Sequence, residues 1–271
     1  MRNDKFAVSV ITYPNSRFSI YLVQDKLRKL KIPLTVYQSD DATSDDVKSW
    51  TLFVYLFSFS RIRYRYLRYI GGEFNLSLEL VLFCKSVCKL LISKVSRNQM
   101  KKSISRCVNI SQNHVSAWKE ACVNGIPFLI VLEDDAEVSN FSQALKAIKV
   151  ILSEVPNGKS KFVLMDLSNS FSLFELGIDK WVNYSVQDKI MGNEVFYLNR
   201  LATNTLCGVL YGSQVLREIV TYMDEDGGTY ARQGIPIDWI LNDWISGKSN
   251  SKTEIVSIHV KPGFFRQLSM E

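Results

Sequence analysis

The chain has 271 residues, 46% hydrophobic and 22% charged, with 13 Gly and 6 Pro. That length suits one large domain or two small ones with a real buried core, and the composition excludes collagen-like, low-complexity and largely disordered chains. The net charge of +6 is unevenly spread: from Ser49 to Arg106 eleven Lys or Arg stand against two acids, Glu73 and Glu79, so that stretch carries +9 and the remainder −3. A mildly acidic body with one basic segment is not a uniformly basic binder.

Five Cys, an odd number, do not form a disulfide framework and point to a reducing cytosol. Two His, His114 and His259, with no CxxC pair argue against structural zinc; Cys84 and Cys88 fall on one helical face. The opening MRNDKFAVSVITYP lacks the apolar core and cleavage site of a secretory signal. The longest uncharged run, Ser49 to Ser60, is too short to span a bilayer.

In chain order, FAVSVITYP predicts a strand, and Pro14-Asn15-Ser16 a turn into a helix with Phe18, Leu22 and Leu27 inward. Pro33 ends that helix and LTVYQSDD follows as a second strand, an opening that predicts an α/β fold with a largely parallel sheet. LSLELVLFCKSVCKLLISKV predicts an amphipathic helix with Lys85 and Lys89 on its polar side. RIRYRYLRYIGG fits either a helix, with Arg61, Arg65 and Arg68 on one face, or a strand. Beyond it come a helix through ISQNHVSAWKEACVNG capped by Gly125, a buried strand IPFLIVLEDD, a helix FSQALKAIKVILSEV and a strand KFVLMDLS. Residues 181–211 predict short strands, GSQVLREIVTYM a helix, Asp224-Glu225-Asp226-Gly227-Gly228 a mobile acidic loop, IDWILNDWI a helix entered at Pro236, and EIVSIHVKP a late strand.

The sharpest local feature is Phe128-Leu129-Ile130-Val131-Leu132 running into Glu133-Asp134-Asp135. Five large apolar residues make a central strand, and three acids then sit at the carboxyl edge, where open α/β sheets bind ligands. Adjacent carboxylates repel, and a divalent cation shared with a phosphate-bearing ligand relieves that repulsion. A solvated acidic turn is the plain alternative.

SQNHVSAWKEACVNGIPFLIVLEDDAEVS resembles the central signature of glycosyltransferase family 25, a Ser-His helix with a following Trp, a strand and Glu-Asp-Asp. ITYPNSRFSIYLVQDKLRKLKIPLTVYQSDDA is similar to that family's opening, PIDWIL to its distal Pro-x-Asp element, and HVKPGFFRQLS to its tail, together about three-quarters of the chain. The chain departs from the family in having SRCVNISQNH in place of a Gly-Glu-x-Gly-Cys run, Asn113 in place of Ser, and a basic, aromatic insert over 49–106.

The resemblance implies a single GT-A-like (Rossmann-like) domain over 1–271, with a mixed, mostly parallel sheet flanked by helices. It further implies an inverting, metal-dependent transfer of a sugar, galactose first, from a nucleotide-sugar donor to a bacterial lipooligosaccharide or capsule glycan. On that reading Mn²⁺ or Mg²⁺ is held by Glu133 and Asp135 with His259 as a third ligand, and Asp238 is the base. Arg17, Asp40, Asp41, His114 and Asp134 meet the donor or position the acidic strand. Each has an ordinary structural reading beside it: first-turn acid for Asp238, packed core histidine for His114 and His259, solvated or turn residue for Arg17, Asp40 and Asp41. The insert either docks on anionic lipid at the inner face of the cytoplasmic membrane or packs as a helical subdomain with a wet charged face. The alternative function is a non-catalytic glycan or nucleic-acid binder using that insert; nucleic acid is not the expected partner.

Overall fold

The computed structural model describes residues 6–12, 27–29, 32–39, 41–71, 76–137, 140–156, 158–168, 175, 177–190, 192–202, 206–248 and 255–267, with 184–189 and 267 as backbone only. Strand alternation sets the layers. In β1 (Phe6–Thr12) and β3 (Phe128–Glu133), Phe6, Val8, Val10, Phe128, Ile130 and Leu132 enter one hydrophobic layer, while Ile11, Leu129 and Val131 enter the other. The first layer is closed by α4 (Phe141–Glu154) through Ile148 and Ile151. The second is closed by α3 (Lys94–Val123), α5 (Ser213–Tyr222) and α7 (Ile237–Gly247), through Trp118, Ile219 and Ile240. Both faces of the sheet are therefore covered, which is why the β3 residues read as an unbroken apolar run rather than an alternation.

The main sheet runs β2 (Leu34–Gln38), β1, β3, β8 (Gly208–Gly212), β5 (Val163–Asp166), β9 (Val256–Lys261), β7 (Asn193–Leu198), β6 (Val182–Ile190). It is mixed, as expected, but not mostly parallel. Only β1–β2, β1–β3 and β5–β9 pair in parallel among the described strands. β8 enters antiparallel between β3 and β5, and the β6–β7 hairpin extends the sheet antiparallel beyond β9. A short antiparallel pair, β4 (Ala136–Glu137) with β10 (Arg266–Gln267), lies outside it. The chain leaves β1 to one side for β2 and returns on the other side for β3, which makes the carboxyl ends of β1 and β3 a topological switch point.

The 49–106 stretch is helical: α1 (Ser49–Ile70), α2 (Leu76–Ile92) and the first part of α3. This resolves RIRYRYLRYIGG as helix, ended by Gly71 in the left-handed region at φ 71°, where a side chain would be strained. The expected boundary at Arg106 falls inside a single 30-residue helix, so insert and His114 helix are one rigid element. Gly125, at φ 62°, follows its end as the capping reading requires. Residues 224–228 are a correction: they form a π turn, Met223–Gly227, continuous with α5 and α6 (Gly228–Arg232), and not a loose loop. The predicted helix after β1 is represented by residues 27–29, with Leu27 buried; Phe18 and Leu22 lie outside the described residues.

Candidate active site

Period-two alternation puts Glu133 on the same face as Leu129 and Val131, under α3 and α7. There it lines a cavity of about 210 Å³ with Asp238, Cys107, Ile110, Leu206 and Pro236. Asp238 stands in the first turn of α7, and Cys107 and Ile110 come from α3, so three elements distant in sequence close on one space. Burial lifts the Asp238 carboxyl to about 6; the Glu133 charge adds to that lift, while backbone N–H groups at the start of α7 and His114 oppose it. Burial followed by the Asp238 charge pushes the Cys107 thiol up to about 11, so it is a thiol at neutral pH.

His114 is fully buried on α3, its Nε2 is 3.4 Å from Glu133 Oε1, and its ring lies 5.5 Å from that of Trp118. The spacing of His114 and Trp118 thus builds a packed wall behind Glu133. One helical turn earlier, Asn109 accepts from the Ala42 N–H at 2.9 Å and donates to the Ala42 carbonyl at 3.0 Å. Asn113 donates to the Thr12 carbonyl at 3.1 Å. Helix α3 therefore ties down the end of β1 and the loop after β2. Thr12 Oγ1 in turn donates to Asp134 at 2.9 Å, joining the ends of β1 and β3 across the switch point.

Asp135 is buried in the turn after β3. His259 is buried on β9 with its Nδ1 3.3 Å from Asp166 Oδ2, and Ser168 donates to the other Asp166 oxygen from its N–H at 2.9 Å and its hydroxyl at 3.0 Å. Burial by itself would raise the Asp166 carboxyl, but His259 and Ser168 outweigh it and hold it below the usual range. Among the described residues no three His, Cys, Asp or Glu side chains gather where a metal could sit, so Glu133, Asp135 and His259 do not form a protein-only cage. Asp41 is exposed and accepts from the Ser39 hydroxyl at 3.2 Å; Arg17 and Asp40 lie outside the described residues.

Cys107, Asn109, Thr12 and Asp166 are additions to the expected set; His259, expected as a third metal ligand, faces Asp166. Asp166 carried a readable signal, since KFVLMD repeats the apolar-run-then-acid pattern of FLIVLED on a strand of the same direction. Its charge and those of Glu133, Asp134 and Asp135 all act on the buried Cys207 thiol, which burial first and then these carboxylates push upward. The acids therefore cluster at one edge of the sheet. No protein-family model matches the chain, and no curated protein matches it.

Proposed function

We propose that this protein is an inverting glycosyltransferase of GT-A type, similar to family 25, that transfers a sugar from a nucleotide-sugar donor to a hydroxyl of a glycan or glycolipid. The observation that carries the reading is the cavity shared by Glu133 and Asp238 at the carboxyl edge of the sheet. Inverting displacement needs a group that takes the acceptor proton as the new bond forms. A carboxylate lifted to about 6 is still ionised at neutral pH and is a stronger base than an ordinary Asp. Asp238 fills that role, with its burial keeping its proton affinity high.

The donor is expected at the β1/β3 switch point, with Asp134 and Thr12 lining its sugar or ribose side. Glu133 and Asp135 would hold Mn²⁺ or Mg²⁺, because a cation at a diphosphate needs only one or two carboxylates besides the phosphate oxygens; bound there, it would supply Lewis-acid charge to the departing nucleoside diphosphate. Resemblance favours galactose as the sugar. A nucleic-acid reading has less to stand on: within RIRYRYLRY, Ile62 and Tyr66 are buried, Arg63 pairs with Glu79 and Arg65 with Asp243.

The test is turnover of a panel of UDP-sugars with Mn²⁺, comparing the wild-type chain with Asp135→Ala and Glu133→Gln. Both variants should lose metal-stimulated hydrolysis or transfer by at least about a hundredfold while unfolding at the same temperature. Undiminished turnover in both overturns the assignment.

A further inference from the structure

Helix α2 carries apolar side chains on its outer side as well as on the inner one, where Phe83 and Val87 are half-buried and Leu90 is buried. Of its 17 residues only Leu90 is buried, while Leu80, Val81, Leu91 and Ile92 are 60 to 85% exposed. At 100° per residue, Leu80, Leu91, Cys84, Cys88, Val81 and Ile92 form one outward apolar stripe, bordered by exposed Lys85 and Lys89. Its single acid, Glu79, is directed to Arg63 of α1 at 3.2 Å. Alongside, α1 shows a second stripe at steps of three and four: Trp50, Phe53, Phe57, Arg61, Tyr64 and Arg68, all exposed. Between the two helices runs an open groove of about 780 Å³, apolar along Phe57, Leu76, Leu80 and Phe83, with Arg61 and Arg68 among its lining.

A helix apolar on its solvent side must be covered by something. Charge identifies the cover. The surface carries Arg61, Arg68, Lys85, Lys89 and Lys94 exposed, and the one described acid on α1 or α2 is already paired. A second copy of the chain would oppose these cations to each other across a two-fold interface. Among the described residues no helix is long and apolar enough to cross a membrane. An apolar stripe about 18 Å long, flanked by lysines whose stems can lie along it, suits a helix lying in a headgroup boundary.

We propose that the α1–α2 hairpin docks flat on an anionic phospholipid surface, with the outer stripe of α2 in the acyl boundary, Trp50 and Phe57 at the interface, and headgroup phosphates on Arg61, Arg68, Lys85 and Lys89. The inference is independent of the sugar-transfer reading. Of the two expectations for the insert, membrane docking is favoured by the second apolar stripe that α2 presents outward, beyond the one it packs inward.

The experiment is co-sedimentation of the full chain with vesicles of phosphatidylcholine alone and with added phosphatidylglycerol, without any sugar nucleotide. Binding is expected only with phosphatidylglycerol and should weaken as salt rises. Arg61→Glu/Arg68→Glu/Lys85→Glu/Lys89→Glu and, separately, Val81→Asp/Leu91→Asp should each lower partitioning at least about tenfold; all six residues are exposed, and circular dichroism checks that the fold is kept. Quenching of tryptophan emission by acyl-brominated lipid, lost in Trp50→Phe, reports insertion. Absence of binding to anionic vesicles, binding unaffected by either set, or a concentration-dependent dimer abolished by Val81→Asp/Leu91→Asp would each overturn the proposal.

Discussion

At Asp238, solvation and catalysis pull in opposite directions. Its carboxyl titrates near 6 in the fold against 3.8 for an ordinary Asp, because burial and Glu133 disfavour the charge. The folded chain therefore holds more proton than the unfolded chain between those values, so this group's contribution is most favourable below 3.8 and is lost as pH rises through about 6. Asp238→Asn should stabilise the protein near neutral pH by as much as about 2–3 kcal/mol and change little at about pH 3.5, measured by chemical denaturation at both. The same variant should lose turnover at least about a hundredfold, and wild-type kcat/KM should rise with pH along a limb centred near 6. A variant both less stable and equally active would remove Asp238 from the site. The acid was readable from Pro236-Ile237-Asp238 as the start of a helix. Glu133 was readable too, from the acids that end the β3 run, but its meeting with Asp238 across the cavity was not, because residues 105 apart in sequence share no local pattern.

Among the elements, α1 is held to the body by an aromatic seam and by polar contacts along its length: Ser58 donates to Gln233 at 2.6 Å, Tyr69 to the Leu201 carbonyl at 3.0 Å, and Arg65 pairs with Asp243. Phe59 and Tyr66 meet the edge of Trp239 at 5.1 and 5.9 Å, and Arg65 reaches the buried Asp243 of α7 at 3.0 Å, where Tyr222 also donates at 2.8 Å. Arg65 is itself 42% exposed, so water weakens its charge, but Asp243 is not free to take water instead. Arg65→Met should cost about 2 kcal/mol, and adding Asp243→Asn should recover part of it by removing the stranded charge, a double-mutant cycle read by denaturation. Equal, additive losses would mean the pair is not coupled. The apolar blocks of 49–106 thus divide: α1 buries its side toward α7, as a packed subdomain does, while α2 packs Phe83, Val87 and Leu90 inward and leaves a second apolar stripe outward. Amphipathic spacing alone could not separate these cases, since it reveals a stripe and not what the stripe meets.

Over the whole molecule, the ends of β1, β3 and β5 share one edge, held by Asn109 and Asn113 of α3 and closed over by α7. A ligand spanning that edge binds only the folded state, so a cognate nucleotide-sugar with Mn²⁺ should raise stability by about 2.7 kcal/mol at a hundredfold excess over its Kd, seen as a thermal-shift increase absent in Asp135→Ala. No shift with any nucleotide-sugar would leave the edge without its proposed ligand. Residue pattern alone was sufficient for the helix-capping glycine Gly125, the buried β3 run, the acids that end it, and the basic character of 49–106, because these depend on local conformation, hydrophobic period and charge count. It could not yield the antiparallel entry of β8, the turning of His259 to Asp166, the meeting of Glu133 with Asp238, or the outward side of α2. Those depend on which strand pairs with which and which helix covers which face, and long-range packing sets both.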